Sequence, residues 1–171
     1  MHKAVTSFIQ DIKAKHPEFF RFSTVLDCGS LDINGSNRPF FADSHYTGID
    51  IVDGKNVDYV TRVHEFNPQK LFHVVISTEM LEHDEYLSRS LARMFELLKP
   101  GGLLIITAAG FGRAEHGTVD HHPKDSPMTH NHYQNVEPEQ FLTNLPLHEF
   151  RAWAISQVDT DIRLYGIKKQ P

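Results

Sequence analysis

The sequence predicts an α/β fold built on one mixed sheet. Three observations carry the prediction. Short apolar runs of strand character alternate along the chain with stretches whose apolar residues recur at helical spacing. Residues 24–35 pass from an apolar strand into a polar turn at Gly29, as the first strand-to-helix unit of a nucleotide-binding sheet does. Two alternating segments, 150–157 and 161–169, flank Asp159-Thr160 and read as an antiparallel hairpin.

The elements follow in order. Val5, Phe8, Ile9 and Ile12 lie at helical spacing, so residues 1–20 hold an amphipathic helix that His16-Pro17 stops. Residues 24–28 are the first strand, and 31–41, with Pro39 inside, are a loop or a short helix. Residues 45–51 are the second strand, closed by the turn Asp53-Gly54. Residues 57–60 are a candidate third strand. They follow the second too closely for an ordinary parallel crossover, so either an extended link replaces the helix or the pairing is irregular. Residues 72–77 are β-branched and apolar, the pattern of a strand buried on both faces. Asp84 is a candidate cap for the next helix, whose apolar face is Leu87, Leu91, Met94, Phe95 and Leu98 and whose stop is Pro100-Gly101-Gly102. Residues 103–107 are another buried strand. The stretch 108–136 is rich in Gly, His, Pro, Asp and Ser without periodicity, and a loop of that length in one domain carries function or is disordered. Pro138 starts a short helix through Leu142.

Composition narrows the function classes. A chain of 171 residues with 40% hydrophobic and 23% charged residues is one ordinary globular domain. The net charge is -5 and no basic block occurs, which argues against nucleic acid as the main partner. Cys28 is the single cysteine, so no disulfide forms within the chain. No apolar run reaches the length of a membrane span and the first twenty residues lack a signal core, so a cytoplasmic protein is expected. Gly29 lets backbone approach a ligand, and Asp50 ends the second strand about twenty residues later, where such sheets place a ribose-binding acid.

Four segments together carry a family resemblance: Val-Leu-Asp-Cys-Gly-Ser at 25–30, Gly-Ile-Asp at 48–50, Ser-Thr-Glu-Met-Leu-Glu-His at 77–83 and Leu-Lys-Pro-Gly-Gly-Leu-Leu at 98–104. With these the chain resembles the class I S-adenosylmethionine-dependent methyltransferases. The resemblance runs from about residue 24 to 107, with the terminal hairpin also in place. It implies a Rossmann-like sheet of seven strands with the last antiparallel, here with reduced helices after strands 2 and 3. It implies S-adenosylmethionine as cofactor and, by position, its methionine end near Asp27, Gly29 and Ser30 and its ribose on Asp50. Ile51 would pack on adenine, Val63 and His64 would stand near its other edge, and Ser77, Thr78 and Glu79 would line the cleft. Two features depart from the family pattern. Leu31, Asp32 and Ile33 stand where glycines are usual, and Arg62 stands where an acid often faces adenine.

Each acid also has a plain structural reading. Asp27 would shape its own turn, and Glu79 and Glu82 would be solvated charges at a helix start. The pairing of Asp27 with Gly29 and Asp50 favours a ligand site. In the long loop, His116, His121, His122, His130 and His132 crowd with Asp120 and Asp125. No standard ligand spacing is present and cysteine does not contribute, so no metal site is assigned and a substrate-facing loop is preferred. The acceptor is expected to be a small molecule. Because the cofactor's sulfonium already activates the methyl group, the protein needs to hold a nucleophile in line and, for some acceptors, to supply a base. His116 is the first candidate base, His83 and Tyr133 the next. Two other classes remain open: a non-catalytic binding or assembly module on the same fold, and a nicotinamide-dependent oxidoreductase.

Overall fold

The structure is a computed structural model and describes residues 2–129 and 131–171. Its centre is a seven-stranded sheet of β1 (Thr24–Cys28), β2 (His45–Asp50), β3 (Tyr59–Val60), β4 (Phe72–Thr78), β5 (Leu98–Ala109), β6 (Phe150–Val158) and β7 (Asp161–Lys168). The spatial order is β3-β2-β1-β4-β5-β7-β6. The pairs among β1 to β5 are parallel, and β7 runs antiparallel to both β5 and β6. This is the mixed α/β sheet with a C-terminal hairpin that the sequence predicts. Asp159, in the two-residue turn between β6 and β7, takes a left-handed φ of 54°.

Alternation along the central strands feeds two cores. Val25, Val74, Ile76, Leu103 and Ile105 face helix α1 (Lys3–Lys15), which buries Val5, Ile9 and Ile12 against them. Leu26, Val75, Leu104 and Ile106 face the opposite layer, where α2 (Leu87–Leu97) contributes Leu87, Leu91, Met94 and Leu97, and α3 (Pro138–Asn144) contributes Phe141. A capping box opens α3: the Gln140 side chain accepts the Glu137 N–H at 2.8 Å.

The first half of the sheet lacks such helices. Between β1 and β2, and again between β3 and β4, each link carries only a single 3₁₀ turn, Arg38–Phe40 and Val63–Glu65. Between β2 and β3 an extended link takes the place of a helix, which settles the alternative that the sequence leaves open. The link lies tightly over β2: a Cβ at Gly48 would stand 2.1 Å from the Asn56 carbonyl oxygen. The Asp58 carboxylate accepts the Gly48 N–H at 2.7 Å, and the Asp58 N–H donates to the Gly48 carbonyl at 2.8 Å.

Three local expectations are corrected. The third strand spans only Tyr59–Val60, both exposed, because side chain and backbone of the preceding residues are spent on anchoring the link. Pro100-Gly101-Gly102 lies inside β5 instead of between helix and strand. The register jumps from Phe72↔Leu98 to Val74↔Leu103, and Gly101 with φ +77° absorbs the irregularity. Asp84 is not the N-cap of α2, which is Tyr86; its carboxylate accepts the Tyr86 N–H at 2.8 Å in a tight turn just before the helix.

Candidate active site

The carboxyl ends of β1, β2 and β4 open onto one cleft, as ligand crevices of parallel sheets do. Asp27, Gly29, Ser30, Asp50, Ile51, Val63, Thr78 and Glu79 line it, so eight of the ten expected cofactor positions share one wall. Ser77 and His64 lie outside it. The Ser77 hydroxyl is buried in the sheet and donates to the Cys28 carbonyl at 2.9 Å, while the His64 ring packs against Tyr86 with centroids 4.4 Å apart. Leu31 and Ile33 stand in the cleft, and Arg62 lines it with its guanidinium 5.1 Å from the Tyr86 ring centre.

The local chemistry explains the residue types. Gly29 has φ +82°, and a Cβ there would sit 2.6 Å from the Met80 side chain, so its glycine serves a close protein contact as well as the turn. Asp50 accepts the N–H of Leu31 and of Val52, each at 3.1 Å, which ties the loop after β1 to the end of β2. Burial raises the Asp50 carboxyl above its ordinary range against these bonds. The glycine-poor loop is braced by Asp32, whose carboxylate meets the Gly35 N–H at 2.8 Å and the Lys55 ammonium at 2.7 Å.

Asp27 is buried beneath the cleft. The Tyr46 hydroxyl donates to it at 2.5 Å and the Asn37 amide at 3.2 Å, yet burial outweighs both bonds and lifts its carboxyl to about 7. Asn37 also donates to the Thr78 hydroxyl at 3.0 Å, and its own carbonyl oxygen is buried without a partner. The sequence gives no sign of Asn37 or Tyr46. Tyr46 lies one step down β2 on the face of Asp27, and the register Val25↔Tyr46 and Asp27↔Gly48 is what brings them together.

At the end of β4 the chain turns sharply. Glu79 takes a left-handed φ of 55°, a sparsely used conformation for a side-chain-bearing residue. Burial works against its ionisation, but bonds from His2 at 3.3 Å and from Thr107 at 2.9 Å, together with the charge of Arg113, hold the carboxyl below its usual value. Arg113 also pairs with Asp161.

The three candidate catalytic residues come together. Ring centroids of His83 and His116 are 5.1 Å apart, those of His116 and Tyr133 5.1 Å, and those of His83 and Tyr133 5.6 Å. His83 lines the cleft, whereas His116 and Tyr133 stand behind it. Burial and the neighbouring His116 lower the His83 imidazole to about 4. Burial, then the Glu82 charge, raises the Tyr133 phenol to about 12. Beneath the rings is Glu82, fully buried, with His116 Nε2 at 3.9 Å from one carboxylate oxygen. Burial, then the Glu79 charge, pushes the Glu82 carboxyl up. Of the long loop, Asp125, Ser126, Pro127 and Thr129 border the cleft. His121 and His122 are exposed away from these rings, and His130 lies outside the described residues.

A methyltransferase-domain family profile matches residues 1–154. The chain belongs to the methyltransferase domain family. A search of curated protein sequences returns no match. Several solved structures share the methyltransferase fold. The Burkholderia thailandensis 1,6-didemethyltoxoflavin-N1-methyltransferase, solved with its acceptor and S-adenosylhomocysteine, superposes at a TM-score of 0.65 with 16% identity over 98% of this chain and 78% of its own. The N-methyltransferase NodS of Bradyrhizobium japonicum, solved with S-adenosylhomocysteine, gives 0.58 and 15% over 96% and 88%. A SAM-dependent methyltransferase of Archaeoglobus fulgidus gives 0.62 and 15% over 95% and 94%. At such identities the likeness concerns the fold. Among the described residues no helix is long and apolar enough to cross a membrane.

Proposed function

We propose that this methyltransferase domain transfers the methyl group of S-adenosylmethionine to a small-molecule acceptor bound beside His83, His116 and Tyr133. The observation that carries the reading is the set of hydrogen-bond-accepting oxygens in the cleft. Asp50 stands at the end of β2 with its carboxylate half-buried and two backbone donors fixing it, a posture suited to a ribose diol. Asp27, reached through Asn37 and Thr78, offers a buried carboxyl on that wall for a cationic amino-acid end. The Asn37 carbonyl oxygen, buried and unpartnered, fits an incoming ammonium donor. Leu31, Ile33, Ile51 and Val63 supply apolar walls of the kind a purine ring packs on.

When bound, the sulfonium cofactor supplies an activated methyl group, and the protein's task is orientation. Thr78, Glu79 and His83 separate the Asp27 end from the aromatic cluster, so the acceptor side is assigned to His83 and the loop 108–136. The returning end of that loop is pinned in place: the Gln134 N–H donates to the Glu82 carbonyl at 2.9 Å and the Val136 N–H to the Ala109 carbonyl at 2.8 Å. Small acceptors are also what the solved neighbours hold, 1,6-didemethyltoxoflavin in one and phosphomonomethylethanolamine in another. Calorimetry with S-adenosylmethionine and S-adenosylhomocysteine tests the reading. Saturable binding of both is expected. A chain that binds neither is a non-catalytic module, and one that binds a nicotinamide dinucleotide instead is an oxidoreductase.

A further inference from the structure

Among the described residues, two clusters bring three histidine or carboxylate groups within reach of one another: His2, Glu79 and Asp161, and Glu82, His83 and His116. They differ in what already neutralises them. In the first, Asp161 is paired with Arg113 and Arg163, and Glu79 accepts the Thr107 hydroxyl. In the second, no Lys or Arg of the described residues forms an ion pair with Glu82, and the Arg113 charge reaches it only at longer range. Glu82 is fully buried, and neither of its oxygens has a hydrogen-bond partner in good geometry, although the amide groups of Glu82 and Ala109 lie nearby. A fully buried carboxyl in that setting is a polar group in want of a partner.

The geometry points to a divalent transition-metal site formed by Glu82, His83 and His116, a N₂O donor set of the zinc type, at the acceptor side of the cleft. One ligand atom of each residue lies within 4.8 Å of the other two. Ligands around a tetrahedral zinc-type ion stand about 3.3 Å apart, so the three need to draw in by roughly 1 Å. The imidazoles are already oriented. His116 Nδ1 lies 3.1 Å from the Ala114 carbonyl and His83 Nδ1 3.4 Å from the His132 carbonyl. A backbone carbonyl on one ring nitrogen is the usual outer partner of a metal-bound histidine, and it leaves the other nitrogen for the ion. His116 Nε2 is the atom that faces Glu82 at 3.9 Å. Gly117 keeps the space: a Cβ there would lie 2.6 Å from His83 Cε1. Three protein ligands leave a coordination position free, and His83, which lines the cleft, links the cluster to the acceptor side. His116 is then a ligand, and the base role that the sequence suggests for it passes to the ion, which lowers the pKa of an oxygen bound to it.

The site stands on its own residues and its test uses the chain without cofactor, so its failure is separate from failure to bind S-adenosylmethionine. Chelator-treated protein is titrated with Co²⁺, followed by visible d–d absorption and calorimetry. One equivalent is expected to bind. His116→Ala and Glu82→Gln should weaken binding by more than the ~10–100-fold that loss of an outer partner costs. His121→Ala and His122→Ala should bind as the parent does. His116 sits in an exposed loop, so its variant tests the site even if Glu82→Gln does not fold. Absence of Co²⁺ binding to the parent, unchanged affinity in His116→Ala, or loss of binding in the His121 and His122 variants overturns the proposal.

Discussion

The two halves of the sheet are stabilised in different ways. From β4 to β5 the strands are covered by α2 and α3, and the burial of Leu91, Met94 and Phe141 does the work. From β1 to β3 no α-helix intervenes, and polar contacts replace it: Asp58 on Gly48, Asp32 on Lys55, Asp50 on Leu31 and Val52, and Ser30 on the Asn56 carbonyl at 3.1 Å. The proposed cofactor cleft is built largely on the second kind. In the proposed reading, the half without connecting helices merges structural and ligand-binding roles in the same carboxylates, whereas α2 and α3 of the other half serve packing alone.

Substitutions sharpen that contrast. The largest effect is expected for Leu91→Ala, a fully buried side chain of α2: about 2–5 kcal/mol of stability should be lost in denaturant unfolding, with S-adenosylhomocysteine affinity of the folded fraction unchanged. Gly48→Ala drives a methyl group into the Asn56 carbonyl and should cost roughly 1–3 kcal/mol or more, this time with cofactor affinity falling alongside stability. If Gly48→Ala left affinity intact, the two roles would be separable after all. Asp50→Ala removes a charged acceptor worth about 1.5–3 kcal/mol and should weaken cofactor binding roughly ten- to a hundredfold by calorimetry, with a lower Tm because the Leu31 and Val52 amides lose their partner.

A pH series gives a finer test. The folded value of Asp27, about 7, lies above that of an unfolded aspartate, so the fold favours its protonated form. Its contribution to stability is full below about pH 4 and is lost as pH rises through about 7. A cationic ligand prefers the ionised form, so cofactor affinity should fall as pH drops below about 7, by at most about tenfold per unit. Asp27→Asn should flatten both curves. The smallest effect is expected for Tyr46→Phe. It removes a bond that holds the Asp27 value down, so the midpoint of the affinity curve should move upward while binding at high pH changes little.

The sequence shows the fold well because its signals are local. Periodicity places α1, β1, β4 and α2, and Asp159-Thr160 places the hairpin turn. Where signals depend on distant partners it shows less. Pro100-Gly101-Gly102 reads as a stop, but pairing with β4 on either side of it, at Leu98 and Leu103, makes it an irregularity within one strand. Asp27 and Asp50 are legible as a pair from spacing, whereas Tyr46 and Asn37 depend on register and on the path of an irregular loop. Glu82 reads as a surface charge at a helix start. Its burial follows from the loop 108–136 folding back over it, which no local pattern announces.

The unequal edges of the sheet bear on how the protein behaves when concentrated. At one end β3 offers only two residues, too short a rail for another chain to pair with. At the other, β6 presents nine residues, with Arg151 as its single charge, no proline, and Trp153 and Val158 exposed. β6 is therefore the edge open to strand pairing with a second chain, and a lysine placed at Ala154, in mid-strand, is expected to raise solubility without touching the cleft on the other side of β5.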